Sequence, residues 1–272
     1  MNAHVASMTD ASTMAYLSIS GVRKTYGSPR GPVTALKGID LEVSEGEFVS
    51  ILGPSGCGKS TLLKCIAGLE DASAGKIAVD GRALKGPPQN MGIVFQRDVL
   101  LDWRTILDNV LITAEFAGLK GPAVRERALA LLGRFGLGGF ESRHPWELSG
   151  GMRQRAAICR ALLCDPQLLL MDEPFGALDA MTRDDLNLEL ARIWQDTRKT
   201  VVFVTHGITE AIFLSDRVVM MDRNPGRIVE IIDIDLPRPR HLAVRESAEF
   251  GRYVAHVRHL FASLGVLKDD AP

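Results

Sequence analysis

At 272 residues, with 46% apolar and 24% charged side chains, the chain has a globular composition and enough length to bury one large core or two modest ones. A formal net charge of −1 excludes a strongly basic surface, so nucleic acid is not an expected partner. The longest apolar runs, such as Val201 to Val204, fall far short of the roughly 18 residues of a membrane span, so any crossing of a bilayer is expected from another chain.

Met1 to Ala15 is small and polar, with neither a basic start nor a sustained apolar stretch, and predicts a flexible tail over residues 1–15 rather than a signal peptide. Cys57, Cys65, Cys159 and Cys164 have neither C-x-x-C spacing nor the pattern of a disulfide framework, as in a reduced cytoplasmic protein. From Leu17 to Glu47 short alternating or apolar runs, interrupted by the Gly/Pro/Ser-rich stretch Gly27 to Pro32, predict strands joined by a loop. Tyr26 lies beside that loop, where an aromatic face is able to stack on a base; taken alone, such a Tyr is more often packing.

Phe48 to Leu52 is an apolar run of strand length that stops at Gly53-Pro54. Gly53 to Ser60 then fits G-x-x-x-x-G-K-[ST], and Leu62, Leu63, Ile66 and Ala67 recur at helical spacing, so the glycine loop joins a strand to a helix. The chemistry this favours is phosphate binding. Gly53, Gly56 and Gly58 let the backbone of the Gly53-Pro54-Ser55-Gly56-Cys57-Gly58 loop curl through left-handed conformations and aim N–H groups inward, toward the positive end of the helix opened by Lys59, Ser60 and Thr61. Lys59 adds a mobile charge for β- and γ-phosphates and the Ser60 hydroxyl suits Mg²⁺. Cys57, close to a helix N-terminus, has a position that favours its thiolate; a small residue that merely fits is the plainer reading.

Lys76 to Gly81 reads as a strand and turn, and Met91 to Phe95 as a strand ending at Gln96. From Arg97 to about Trp146 the spacing turns helical, with Val124, Ala128, Leu131, Leu132 and Phe135 on one face after a Gly121-Pro122 start. An inserted helical subdomain is expected there, closed by the glycine-rich Gly133 to Gly139. Leu148-Ser149-Gly150-Gly151 then opens a helix marked by Met152, Ala156, Cys159 and Leu163. Ser149 suits an N-cap, and the small-residue turn suits a second anion site. One nucleotide already fills the first loop, so the second is free for the nucleotide of another copy, and a two-fold dimer satisfies both.

Leu168 to Met171 and Thr200 to Thr205 are continuous apolar runs of the kind buried on both faces of a parallel sheet, with a helix marked by Leu186, Leu190, Ile193 and Trp194 between them. They end in Asp172-Glu173-Pro174 and at His206. Lys59, Asp172, Glu173 and His206 therefore all follow the carboxyl ends of strands, where an open parallel sheet has its ligand crevice. Val218 to Met221 and Gly226 to Ile234 add short strands. Arg238 to Pro272 is polar and weakly periodic, with a closing helix predicted around Tyr253 to Leu264 and no residue that suggests chemistry.

Taken together the motifs resemble the ATP-binding subunit of an ATP-binding cassette transporter, over essentially Leu17 to Arg240: GPSGCGKST as phosphate loop, LSGGMRQR at Leu148 to Arg155 as signature, and LLLMDEP ending at Pro174 as second nucleotide motif. The resemblance implies an α/β fold: a P-loop NTPase core with a mixed, largely parallel sheet, an N-terminal antiparallel β subdomain and an inserted helical subdomain. The corresponding divisions are 16–96 and 151–236 for the core, 97–150 for the helical part and 237–272 for a C-terminal tail or helix. It implies ATP and Mg²⁺ as ligands. Asp172, Ser60 and Gln96 would serve the metal, Glu173 would polarise the attacking water, His206 and Lys59 would contact the γ-phosphate, and Tyr26 would stack on adenine. Ser149, Gly150 and Gly151 would close over the ATP of the opposite subunit, and Asp179, in Gly176-Ala177-Leu178-Asp179, would line that interface.

Leu100 to Val110 and Asn224 to Pro239 resemble the nitrate, sulfonate and taurine importer branch, with Asp102 where that branch often has Pro and Gly207 where it often has Asp. The implied partners are a second copy of the chain, two transmembrane permease subunits met near Gln96 to Asn109 and, indirectly, an external solute-binding protein, with this chain placed at the cytoplasmic face of the bacterial inner membrane. The alternative is a soluble ATPase of the same type acting on nucleic acid or protein assemblies.

Overall fold

The computed structural model describes residues 15–176 and 178–266. The tail expected over residues 1–15 lies, except for Ala15, outside the described residues, as do Ala177 and the last six residues of the C-terminal segment, 267–272.

The alternating runs near the N-terminus form β1 (Leu17–Tyr26) and β2 (Val33–Val43), and the continuous apolar run that follows forms β3 (Phe48–Leu52). The glycine loop leads into α1 (Lys59–Ile66), and then come β4 (Ala74–Val79), the short β5 (Arg82–Ala83) and β6 (Met91–Val94). Three helices follow, α2 (Ile106–Phe116), α3 (Pro122–Arg134) and α4 (Gly150–Leu162). The chain closes with β7 (Leu168–Asp172), α5 (Ala180–Thr197), β8 (Thr200–Val204), α6 (Ile208–Leu214), β9 (Arg217–Asp222), β10 (Arg227–Asp233) and α7 (Ala248–Ser263).

Two sheets result. One is antiparallel, in the order β2–β1–β4–β5; the other runs β10–β9–β3–β8–β7–β6 and is parallel except for the β9–β10 pair. The mixed, largely parallel core sheet and the antiparallel N-terminal sheet are both as expected. Alternate residues of each central strand feed two different cores. Val49 and Ile51, Leu168 and Leu170, Val202 and Val204 pack with α1 and the antiparallel sheet. Phe48 and Leu52, Leu169 and Met171, Val201 and Phe203 pack with the helices on the other side. Burial on both faces is why these strands carry no polar alternation. No helix among the described residues is long and apolar enough to cross a membrane.

The helical insert is less helical than its periodicity suggests, because residues 95–105 and 135–149 run as loops and one 3-10 turn, Pro145–Glu147. α4 packs against α2 and α3 as well as β6. The boundary expected at 150 therefore runs through one packed helical layer. The loop after β6 is bound to that layer from several sides: Gln154 Nε2 donates to the Phe95 carbonyl at 3.2 Å, Arg153 pairs with Asp98 at 2.8 Å, and Arg160 donates to the carbonyls of Asp98 and Val99. From α2 the buried Asn109 side chain reaches back into the loop, donating to the carbonyls of Leu101, Arg104 and Thr105 and accepting from the Leu101 N–H at 2.6 Å. Cutting it back strands those groups in a dry interior, at about 2 kcal/mol. Asn109→Ala should lower the melting temperature by about 5 °C; an unchanged melting temperature would show that the clamp adds nothing.

The closing helix starts earlier than predicted, at Ala248, because Ser247 caps it by accepting from the Phe250 N–H at 3.2 Å, with Glu249 in its first turn. The capping residue was the signal that apolar periodicity overlooked.

Candidate functional site

The carboxyl ends of β6, β7, β8 and β3 lie side by side in the core sheet, and the loops leaving them carry Gln96, Asp172-Glu173, His206 and the glycine loop. Gly56 and Gly58 have φ of 78° and 94°, the left-handed turns that the sequence predicts for them. Gly53 does not share that conformation. Its glycine is required by proximity: a Cβ there would come within 2.6 Å of the Met221 carbonyl oxygen and 2.7 Å of Cys57 Sγ. Beneath the loop, Gly226 presses on the Cys57 carbonyl, which a Cβ would reach at 2.1 Å. Pro54 is buried, whereas Ser55 faces solvent.

Lys59 is buried and curls back across its own loop, donating to the Gly53 carbonyl at 2.8 Å and the Pro54 carbonyl at 3.2 Å. These bonds preset the loop around an ammonium that needs an anion. The expectation of a favoured Cys57 thiolate does not hold. Its side chain is fully enclosed, and burial pushes the thiol up despite the nearby Lys59 charge. Cys57 fills the underside of the loop.

Ser60, in the first turn of α1, donates its hydroxyl to Asp172 Oδ1 at 2.9 Å. Burial raises the Asp172 carboxyl, and the Ser60 hydrogen bond and the Lys59 charge pull it back. A cation at that pair would relieve the same desolvation. Glu173 follows at φ 45°, a conformation costly for a residue with a side chain, pinned by its N–H to the Val204 carbonyl at 2.9 Å. Its Oε2 accepts from Gln96 Nε2 at 3.1 Å and lies 3.4 Å from His206 Nδ1. Three residues from three different strand ends thus meet on one carboxylate, while the His206 side chain stays 60% exposed.

Tyr26 ends β1, half exposed, and its hydroxyl donates to Glu70, a contact that holds the Glu70 carboxyl below its usual range. Burial and that carboxylate raise the Tyr26 phenol, against which the Thr61 side chain in α1 pulls, so Tyr26 and Thr61 are neighbours. Lys24 Nζ sits 4.9 Å from the ring centroid.

Ser149 caps α4, accepting from the Met152 N–H at 3.3 Å, and Gly150 and Gly151 form its first turn. A Cβ on Gly151 would meet Leu178 at 2.9 Å, so the turn packs on the segment that leads to Asp179. Asp179 in turn caps α5, accepting from the Thr182 N–H at 3.0 Å, which holds its carboxyl below the usual range. Among the described residues none of Ser149, Gly150 and Gly151 hydrogen-bonds to the glycine loop of the same chain.

Sequence reasoning missed Arg238 and Arg240. Arg240 donates to the carbonyls of Ile212, Phe213 and Ser215 at the end of α6 and to those of Ile234 and Leu236 beyond β10. Arg238 pairs with Asp216 at 2.8 Å and lies 4.0 Å from the Trp194 ring centroid. Cations at a helix C-terminus are a known signal, but here they come from far along the chain.

Comparison with known proteins adds to this geometry. A family model described as ABC transporter matches residues 36–176. An uncharacterized ABC transporter ATP-binding protein of Methanocaldococcus jannaschii is 48% identical over 254 residues, 93% of this chain and 92% of that protein. The taurine import ATP-binding protein of Rhizobium johnstonii is 50% identical over 76% of this chain and 79% of its own length. An aliphatic sulfonates import ATP-binding protein of Bacillus cereus is 46% identical over 82% and 88%. A bacterial ABC transporter cassette solved as a dimer covers 81% of this chain and 100% of its own at a TM-score of 0.74 and 34% identity. Its dimeric post-hydrolysis state with ADP and Pi gives 0.75 at 33% identity and the same coverage.

Proposed function

The chain belongs to the ABC transporter family of ATP-binding proteins, and on that premise we propose that it is the ATP-hydrolysing subunit of an importer for a sulfonate-, taurine- or nitrate-like anion. The observation that supports this most is the Glu173 carboxylate, held by Gln96 and His206 beside the Ser60–Asp172 pair and the Lys59 loop.

ATP lays its phosphates on the N–H groups from Gly53 to Thr61, with Lys59 exchanging its two carbonyl partners for β- and γ-phosphate oxygens. Tyr26 offers its ring to the adenine. Ser60 and Asp172 would hold Mg²⁺ with hard oxygen donors, Gln96 being a further candidate ligand, and the metal would neutralise phosphate charge when bound. Glu173 accepts the proton of the water that attacks the γ-phosphate, and His206, on the same carboxylate, orients that water. Binding ATP closes a head-to-tail dimer in which Ser149, Gly150 and Gly151 of one copy cover the nucleotide of the other, with Asp179 along the seam, and hydrolysis reopens it.

Trp103 and Phe116, on the helical part of the chain, are 75% and 86% exposed, and Val99 and Leu119 are exposed too, apolar surface that supports docking of two transmembrane permease subunits there. An external solute-binding protein acts through those permeases, while this chain sits at the cytoplasmic face of a bacterial inner membrane. Copurification with a hydrophobic permease pair would separate this reading from a soluble ATPase on nucleic acid or protein assemblies.

Lys59→Ala tests the phosphate site itself. It removes a buried charge aimed at the loop, and ATP affinity should fall about 50- to 100-fold, roughly 2.5 kcal/mol. Titration with a fluorescent ATP analogue measures it; wild-type affinity would count against the assignment.

A further inference from the structure

We propose that Glu210 is a positioning residue for hydrolysis: through the Thr205 hydroxyl it fixes the turn that presents His206. The proposal rests on the reading of His206 given above.

His206 stands between two residues tied to one oxygen. The Thr205 hydroxyl donates to Glu210 Oε2, and Thr205 Oγ1 itself accepts the Gly207 N–H at 2.9 Å. Thr205 is in turn anchored to the core sheet, its N–H donating to the Ile51 carbonyl at 3.2 Å. The backbone on both sides of His206 is therefore referenced to β3 through a single hydroxyl, and that hydroxyl takes its direction from Glu210. Gly207, the N-cap of α6, has no side chain to cap the helix, and its N–H is instead taken up by the Thr205 hydroxyl. A Cβ at Gly207 would sit 3.3 Å from Glu210 Cβ and 3.4 Å from both Glu210 Oε2 and Thr205 Oγ1, so the glycine leaves the clasp just enough room.

Glu210 is an expensive residue to keep. It is 6% exposed, burial pushes its carboxyl up, and among the described residues its other oxygen, Oε1, has no hydrogen-bond partner. A methionine of similar size would bury more comfortably, as replacement of buried charges by apolar groups commonly does. Its cost to folding and its bond to the turn of His206 together favour a role in presenting that side chain.

The test is steady-state ATP hydrolysis by the full-length chain. Thr205→Val and Glu210→Met should each lower kcat about tenfold with ATP KM within about twofold of wild type, because the site still binds but the histidine is misaimed. Thr205→Ser and Glu210→Gln, which keep a donor and an acceptor, should turn over near the wild-type rate. The double variant Thr205→Val/Glu210→Met should be no slower than either single, since one link is being cut twice. Wild-type kcat in either apolar single variant, or losses that multiply in the double, would overturn the proposal. His206→Ala separates the two readings: if it hydrolyses ATP normally, the role of His206 fails first; if it is impaired while Thr205→Val is not, only the clasp fails.

Discussion

Glu173→Gln is expected to bind ATP as tightly as the wild type and to hydrolyse it about 10³-fold more slowly, a loss of roughly 4 kcal/mol in transition-state stabilisation. The amide has the shape of the carboxylate and still offers an oxygen to Gln96, which donates to Glu173 Oε2 at 3.1 Å, so the pocket should keep its form. What it loses is the ability to take a proton from water. The glycine loop, Lys59 and Ser60, proposed to hold the nucleotide, follow another strand, β3, and are left untouched. ATP should therefore hold the variant as a closed dimer, read by size-exclusion chromatography with and without ATP, alongside phosphate release. Hydrolysis at the wild-type rate would remove Glu173 from the mechanism, whatever its position at the strand end.

Arg240→Met should cost about 4 kcal/mol of folding stability, seen as a fall of about 10 °C in melting temperature. Arg240 is only 4% exposed and satisfies five backbone carbonyls, three of them at the end of α6. Burial pulls its pKa down to about 10, so it stays charged at neutral pH and meets the negative end of that helix. Methionine fills similar space and donates nothing, leaving several buried carbonyls without a partner. Lysine keeps the charge and reaches fewer of them, so Arg240→Lys should fall between. A melting temperature within about 2 °C of wild type for Arg240→Met would mean those carbonyls find other donors. Because α6 begins just after His206, a loosened C-terminal end should also slow hydrolysis before it unfolds the chain.

Much of the core sheet was legible in the chain. β3, β7 and β8 are mainly apolar strands of five residues, FVSIL, LLLMD and TVVFV, and residues of different chemistry stand at or just after their ends: Gly53-Pro54, Asp172-Glu173 and Thr205-His206. The glycine loop was legible from spacing alone, as was α3 from Pro122, which stands at its first position. Gly53 was read for the wrong reason: its glycine is explained by how closely the loop packs on Met221 and on Cys57, which no local pattern records, whereas Cys57 is the small, enclosed residue of its plainer reading. α4 packs with α2, α3 and β6 together, and a small-residue helix has no sequence mark of which layers receive it.

By itself the sequence determined the strand-loop-helix that cradles phosphate, the acidic pair after one buried strand and the histidine after another, because each is written in neighbouring residues and in periods of two or 3.6. Only the tertiary structure decided that Gln96, Glu173 and His206 share one carboxylate, that Glu210 holds the turn of that histidine and that Arg240 closes the helix behind it. Most of those contacts join residues from separate elements, and even Glu210 and Thr205, only five positions apart, meet because the strand end and the helix start are held at one angle. Their distances are set by how the sheet stacks its strands and how the helices pack on it, which no stretch of chain specifies alone.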